Sequence, residues 1–198
     1  MRRVATYLVA LSCLVPVALL CTSLLADVYP QNEAQCQAFL HRLSDAAIER
    51  THHSVRYDPA YVRIPYPAGD VPSDTGVCTD EVIRSYRALG IDLQKEVHGD
   101  MQANFWKYPN HVRWMLRHTD TNIDHRRVPK LMLFFERQGE QLLSSKNAAD
   151  YNVGELVTWD LGGGVPHIGI VADMKSASGH YKIVHIIGQG PKAEDAFI

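Results

Sequence analysis

Between Gly69 and Tyr86 the chain passes from a stretch that breaks regular structure to one that builds it. Gly69-Asp70-Val71-Pro72-Ser73-Asp74-Thr75-Gly76 is dense in residues that favour turns. From Cys78 onward the apolar side chains fall at helical spacing, with Cys78, Val82, Tyr86 and Leu89 on one stripe. Ser73, Asp74 and Thr75 offer caps, Asp80 and Glu81 suit the first turn, and Gly90 stands where the helix should stop. Cys78 therefore occupies the point where a loop becomes a helix. Free N–H groups and the positive end of the helix dipole favour a thiolate there, the form a nucleophilic cysteine needs. The remaining question for the chain is which residue supplies a base.

At 198 residues, 46% hydrophobic and 21% charged, the sequence fits one globular domain with its own core. Net charge is -2, and basic residues cluster only at Arg2-Arg3 and His125-Arg126-Arg127, so no footprint for nucleic acid is present. Residues 1–26 read as an export signal: a basic start, then an uncharged, mostly apolar run from Val4 to Leu25. Two outcomes stay open: removal, or retention of residues 4–25 as a membrane anchor. The domain is then 27–198, in the periplasm or outside the cell, or held at the inner membrane. It keeps Cys36 and Cys78, and in an oxidising compartment these two are either a disulfide or two thiols.

Glu33 to Glu49 has helical spacing, with Cys36, Phe39, Leu40, Leu43 and Ala47 as its apolar face. Thr51 to Ala68 lacks a period and reads as an extended loop whose Tyr57, Tyr61 and Tyr66 serve packing. A further helix is expected from Pro129 to Gly139. His52-His53 reads as a solvated pair. His111, His118 and His125 recur every seven residues, but helical positions seven apart are separated by about 10 Å, too far to share one zinc. Gly162-Gly163-Gly164 lacks the context of a phosphate loop, so no metal or cofactor is expected.

The last third changes to β-favouring runs, Gly154 to Trp159, His167 to Ala172 and Tyr181 to Ile187, separated by turns. This is an antiparallel meander in an α+β chain. Strand alternation sets His167, Gly169 and Val171 on one face and Ile183, His185 and Ile187 on one face of the next strand, so the two histidines can meet. A thiol at a helix start, a histidine on a following strand and a polar group on the adjacent strand form the arrangement of cysteine hydrolases.

At these residues the sequence resembles the NlpC-type branch of the papain-like cysteine peptidases, which also includes CHAP domains. The likeness lies in Gly-Val-Cys-Thr-Asp (76 to 80), Gly-Glu-Leu-Val-Thr-Trp-Asp (154 to 160), Pro-His-Ile-Gly-Ile-Val (166 to 171) and Ile-Val-His (183 to 185). Residues 69–101, 122–129 and 154–191 resemble more closely an exported bacterial family, a domain of unknown function grouped with NlpC. The resemblance implies a papain-like fold with Cys78 as nucleophile, His167 as general base and acid, and His185 as the orienting residue. It implies cleavage of an amide bond, with peptidoglycan or a wall-derived peptide as the partner. Asp74, Asp80, Asp124, His125 and Arg126 are the candidates for substrate binding. Val77, Thr79 and Asp80 depart from the usual residues around the cysteine, and the chain ends soon after the third strand, which leaves the sheet expected to be short. The competing expectation is a non-catalytic envelope module with Cys78 buried or disulfide-bonded.

Overall fold

The computed structural model describes residues 7–10, 30, 32–110, 115–145, 147–188 and 190–196. Most of the expected export segment, Cys13, Cys21, His111 and Trp114 lie outside them. The chain is α+β. Helix α1 (Glu33–Arg50) starts at Asn32, whose side chain accepts from the Gln35 N–H at 2.9 Å, and it buries Cys36, Phe39, Leu40, Leu43 and Ala47. The loop that follows contributes β2 (Arg56–Tyr57), which pairs in parallel with β3 (Thr75–Gly76) immediately before α2 (Cys78–Ala88). Next come α3 (Leu93–Ala103), a short 3-10 turn at Asp124–Arg126 and α4 (Val128–Gln138), with Pro129 in its first turn and Gly139 at its end.

Strands β5 (Leu156–Asp160), β6 (Pro166–Lys175), β7 (Tyr181–Ile186) and β8 (Pro191–Glu194) form an antiparallel meander. Strand β8 was not expected from the sequence, and it extends the sheet beyond His185. On the other side, β1 (Tyr7–Ala10) lies between β5 and β4 (Glu140–Leu142), giving the order β4-β1-β5-β6-β7-β8. No helix among the described residues is long and apolar enough to cross a membrane.

The two sheet faces bury different groups. Ile168, Ile170, Ala172, Val184 and Ile186 join Cys78, Val82, Tyr86, Phe39 and Phe135 in the main core between sheet and helices. Val157, Val171 and Ile183 form a smaller cluster on the opposite face with Tyr151, Trp159 and Tyr181. Helix α1 meets the sheet closely at Gly154, where a Cβ would stand 2.3 Å from the Leu40 carbonyl oxygen and φ is +82°.

Helix α2 is buried well beyond one stripe, because Thr79, Asp80, Glu81, Arg84 and Ser85 are inside as well. Its charges are matched: Arg50 to Glu81 at 3.0 Å, Arg84 to Asp70 at 3.0 Å and Arg126 to Asp80 at 2.8 Å. It ends in a Schellman arrangement, with the Gly90 N–H on the Arg87 carbonyl and the Ile91 N–H on the Tyr86 carbonyl. The start differs from expectation. None of Ser73, Asp74 or Thr75 caps it; the cap position is Val77, and Asp80 reaches back to accept the Val77 N–H at 2.7 Å.

Candidate active site

Cys78 is a free thiol, 6% exposed, at the first residue of α2. Cys36 is disulfide-bonded, but not to Cys78. The Cys78 sulfur is approached by the backbone N–H groups of Ile168, Thr79 and Cys78 itself. Burial dominates its acidity: the thiol is pushed up to about 11, with the Asp80 carboxylate adding to the shift and the N–H groups opposing it. The dipole argument for a resting thiolate therefore fails here. A dry position costs the anion more than a helix start returns.

The contact with Ile168 puts the sulfur against the backbone of β6 one residue from His167, and consecutive Cα atoms are about 3.8 Å apart. His167 Nε2 lies 3.0 Å from His185 Nδ1, with the rings edge to face at 5.0 Å. The register explains the meeting. Val171 pairs with Ile183 and Ile170 with Val184, so His185 comes level with Gly169, on the face that also carries His167. A Cβ on Gly169 would stand 2.5 Å from Ile183 Cγ2, 2.8 Å from the Val184 carbonyl oxygen and 3.1 Å from His185 Cβ. Glycine is what leaves room for the second ring beside the first.

Trp159, opposite His167 on β5, meets both imidazoles edge-on at 4.6 and 5.3 Å. Both are held neutral. Burial, then the neighbouring His185, brings His167 down to about 3, and burial lowers His185 while Glu194 acts against it. Glu194 Oε2 on β8 is 3.3 Å from His185 Nε2 and is itself held by Lys192 at 2.8 Å. If His167 Nε2–H donates to His185 Nδ1, His167 Nδ1 keeps its lone pair and the His185 proton is on Nε2, which lies 3.3 Å from Glu194 Oε2 without a hydrogen bond to it. No hydrogen bond to that Nδ1 is present among the described residues, and neither imidazole lines the cleft at Cys78.

In front of the sulfur is a cleft of about 420 Å³ lined by Tyr57, Tyr61, Val77, Cys78, Arg126, Arg127 and Pro166, with Pro59, Ile123, Val128 and Pro129 completing it. Such a volume suits a small ligand or a short piece of a larger one. The expected binding residues separate. Arg126 reaches the cleft, fixed from behind by two bonds to Asp80 at 2.8 and 3.0 Å. Asp124 is buried against Lys130, and His125 is buried with Nδ1 unpartnered and its acidity shifted to about 4 by burial and Arg126. Asp74 is exposed. Asp74, Asp80, Asp124 and His125 do not line the cleft. The sequence reading missed Tyr57 and Tyr61, taken as packing but 39% and 54% exposed, and Glu194, on a strand not foreseen. The tyrosines do sit in a Pro-rich segment without period, which is the pattern of a surface loop. No group of three or more potential metal ligands is present among the described residues.

The family described as a domain of unknown function (DUF1287) matches residues 44–198. The uncharacterized protein YijF of Escherichia coli (strain K12) is 44% identical over 174 residues, covering 87% of this chain and 84% of YijF. No solved structure matches the chain.

Proposed function

Because the chain belongs to the DUF1287 family, we propose from its site that it is an exported cysteine hydrolase of papain-like, NlpC-type fold, cleaving an amide bond in peptidoglycan peptides. The observation that carries the reading is the thiol at the start of α2, resting on the backbone next to His167 while His167 is bonded to His185. With both partners neutral at rest, the reaction begins with proton transfer from the Cys78 sulfur to His167 Nδ1 as the sulfur attacks the carbonyl carbon. The first-turn N–H groups of Cys78 and Thr79 have no intrahelical acceptor, so they are donors for the developing oxyanion. His167 then returns the proton to the leaving amine, and water releases the thioester. His185 and Glu194 hold the tautomer that leaves His167 Nδ1 basic. The peptidoglycan assignment leans on the resemblance to NlpC and on the apolar amino terminus read as an export signal.

Digestion of purified muropeptides by wild type, Cys78→Ala and His167→Ala tests the assignment. Each variant should lose at least about a thousandfold in rate, since residues that act as a unit fail together. Cleavage retained in both would overturn it. The burial of Cys78 and the weakened acidity of its thiol favour a second reading, a non-catalytic envelope module that binds wall peptides without turnover. Retention of intact muropeptides by the wild type after prolonged incubation is the outcome that selects it.

A further inference from the structure

We propose that Arg126 is a positioning residue for the nucleophile: with Asp80 and Thr79 it clamps the first turn of α2 and so fixes the Cys78 sulfur and the N–H groups beside it. The role rests on Cys78 as the nucleophile. A helix start is ordinarily held by a side-chain oxygen at the cap position, and Val77 has none. Asp80 takes over that task from inside the helix, accepting the Val77 N–H at 2.7 Å while its own N–H donates to the Val77 carbonyl at 2.9 Å. Its carboxylate keeps that place only while its plane is fixed. Arg126 fixes it with two parallel bonds, Nε to Oδ1 at 2.8 Å and Nη2 to Oδ2 at 3.0 Å. The grip is returned through the backbone, because the Thr79 hydroxyl donates to the Arg126 carbonyl at 3.0 Å.

Cys78 is therefore caught between two anchored neighbours, Val77 through Asp80 and Thr79 directly. The clamp is dry, with Thr79 0%, Asp80 2% and Arg126 6% exposed, so losing one partner strands another. The turn that carries Arg126 is anchored in its own right. Asp124 pairs with Lys130 on α4 and accepts the Asp120 N–H, and Arg126 Nη1 donates to the Ala60 carbonyl at 3.3 Å. Position is passed in this way from α4 and the loop 57–61 to the sulfur. Val77, Thr79 and Asp80, which depart from the NlpC-type pattern around the cysteine, are the three residues that the clamp engages.

The test compares the full wild-type chain with Arg126→Met/Asp80→Leu and with Thr79→Val. The double variant removes the clamp without leaving a buried charge unpaired, so the fold is kept. Thr79 is buried and does not line the cleft, so its variant touches no substrate. In muropeptide digestion the double variant should lose about a hundredfold in kcat, the cost of a displacement near 1 Å at the reacting atoms, and Thr79→Val about tenfold, both with KM little changed. Thr79→Ser keeps the hydroxyl and should restore most of that loss. A kcat that merely follows Tm, or a loss confined to KM, overturns the proposal. Amide hydrogen exchange needs no substrate: in Thr79→Val the N–H groups of Val77 and Asp80 should exchange at least about tenfold faster relative to those of Val82 to Tyr86. Equal acceleration along the helix, or none, overturns the proposal even where the double variant fails to fold. The expected exchange in a chain that digests nothing keeps the clamp and removes the hydrolase, and digestion with kcat intact in the folded variants does the reverse.

Discussion

Around α2 charge is buried in matched pairs, whereas on strands β6 and β7 two imidazoles are buried with no charge at all. Asp80 and Arg126, each 2% exposed at the side chain, share two hydrogen bonds, and Glu81 and Arg84 have partners of their own. His167 and His185 share one bond, with Trp159 against both rings. The helix side is therefore fixed by electrostatics that fail when a partner is lost. The sheet side is poised, since a neutral imidazole can accept a proton and a fixed ion pair cannot. Cys78 belongs by packing to the helix side and by its contact with Ile168 to the sheet side, so the chemistry sits on their boundary.

The contrast is broken most severely by Arg126→Met. It strands the Asp80 carboxylate in a dry site and should cost about 3–5 kcal/mol in urea unfolding. A loss below about 1 kcal/mol would mean that the pair does not hold the 124–127 turn to the helix.

Next in size are the pH limbs, which carry opposite signs on the two sides. The Cys78 thiol is raised from 9.0 to about 11, so the unfolded chain ionises first. Stability is intact below pH 9 and falls as pH rises toward 11, by up to about 3 kcal/mol from this group. Cys78→Ala should lack the part of that limb between pH 9 and 10; from about pH 10 the buried phenols of Tyr86 and Tyr108, also pushed up by burial, add a further loss in both proteins, so the Cys78 share is read as the difference between them. His167 is lowered from 6.5 to about 3, so the unfolded chain protonates first as pH falls. Stability is intact above pH 6.5 and is lost on acidification toward 3, and His125 contributes to the same limb. The share of His167 is the difference between wild type and His167→Gln. A thiol that is fully alkylation-competent at neutral pH would contradict the neutral resting state.

Gly169→Ala should cost about 1–3 kcal/mol, the usual penalty of overpacking, because the added methyl meets the Val184 carbonyl and Ile183. It should also displace the His185 ring, so hydrolysis falls further than the stability loss explains. Unchanged ring positions by NMR would show that the glycine is not what admits the second imidazole.

The same contrast explains which parts of the molecule were legible in the sequence. Periodicity gave α1, α2, α4 and the three central strands, with β6 running three residues beyond the expected Ala172 and β5 starting two residues after the expected Gly154, because each buries a face whose spacing is written locally. The meeting of His167 and His185 followed from alternation alone. The cap of α2 was misread because a side chain three residues inside the helix does the work expected of the loop. Strand β8, Pro-Lys-Ala-Glu, carries little β-propensity and is a strand through its pairing with β7. The state of the thiol was hidden for a related reason: the dipole is local, but the burial that overrides it comes from distant parts of the chain, with Ile168 of β6 against the sulfur.

The smallest effect, and the sharpest probe of the sheet side, concerns Glu194. Its carboxylate is 42% exposed and held low by Lys192, so it contributes under about 1 kcal/mol to stability. Its value lies in direction: an acceptor at Glu194 keeps the proton of His185 on Nε2, which leaves Nδ1 to accept from His167. Glu194→Gln retains an acceptor oxygen and should lower kcat/KM only a few-fold. Glu194→Leu removes it and should cost about tenfold, in the range of outer partners that orient a working imidazole. Nitrogen NMR of the histidines separates this from a packing defect, because the leucine variant should shift His185 toward the Nδ1–H tautomer while its Tm stays near wild type. An unchanged tautomer would end the row of proton assignments at His185, and the sheet side would then orient His167 through Trp159 and strand register alone.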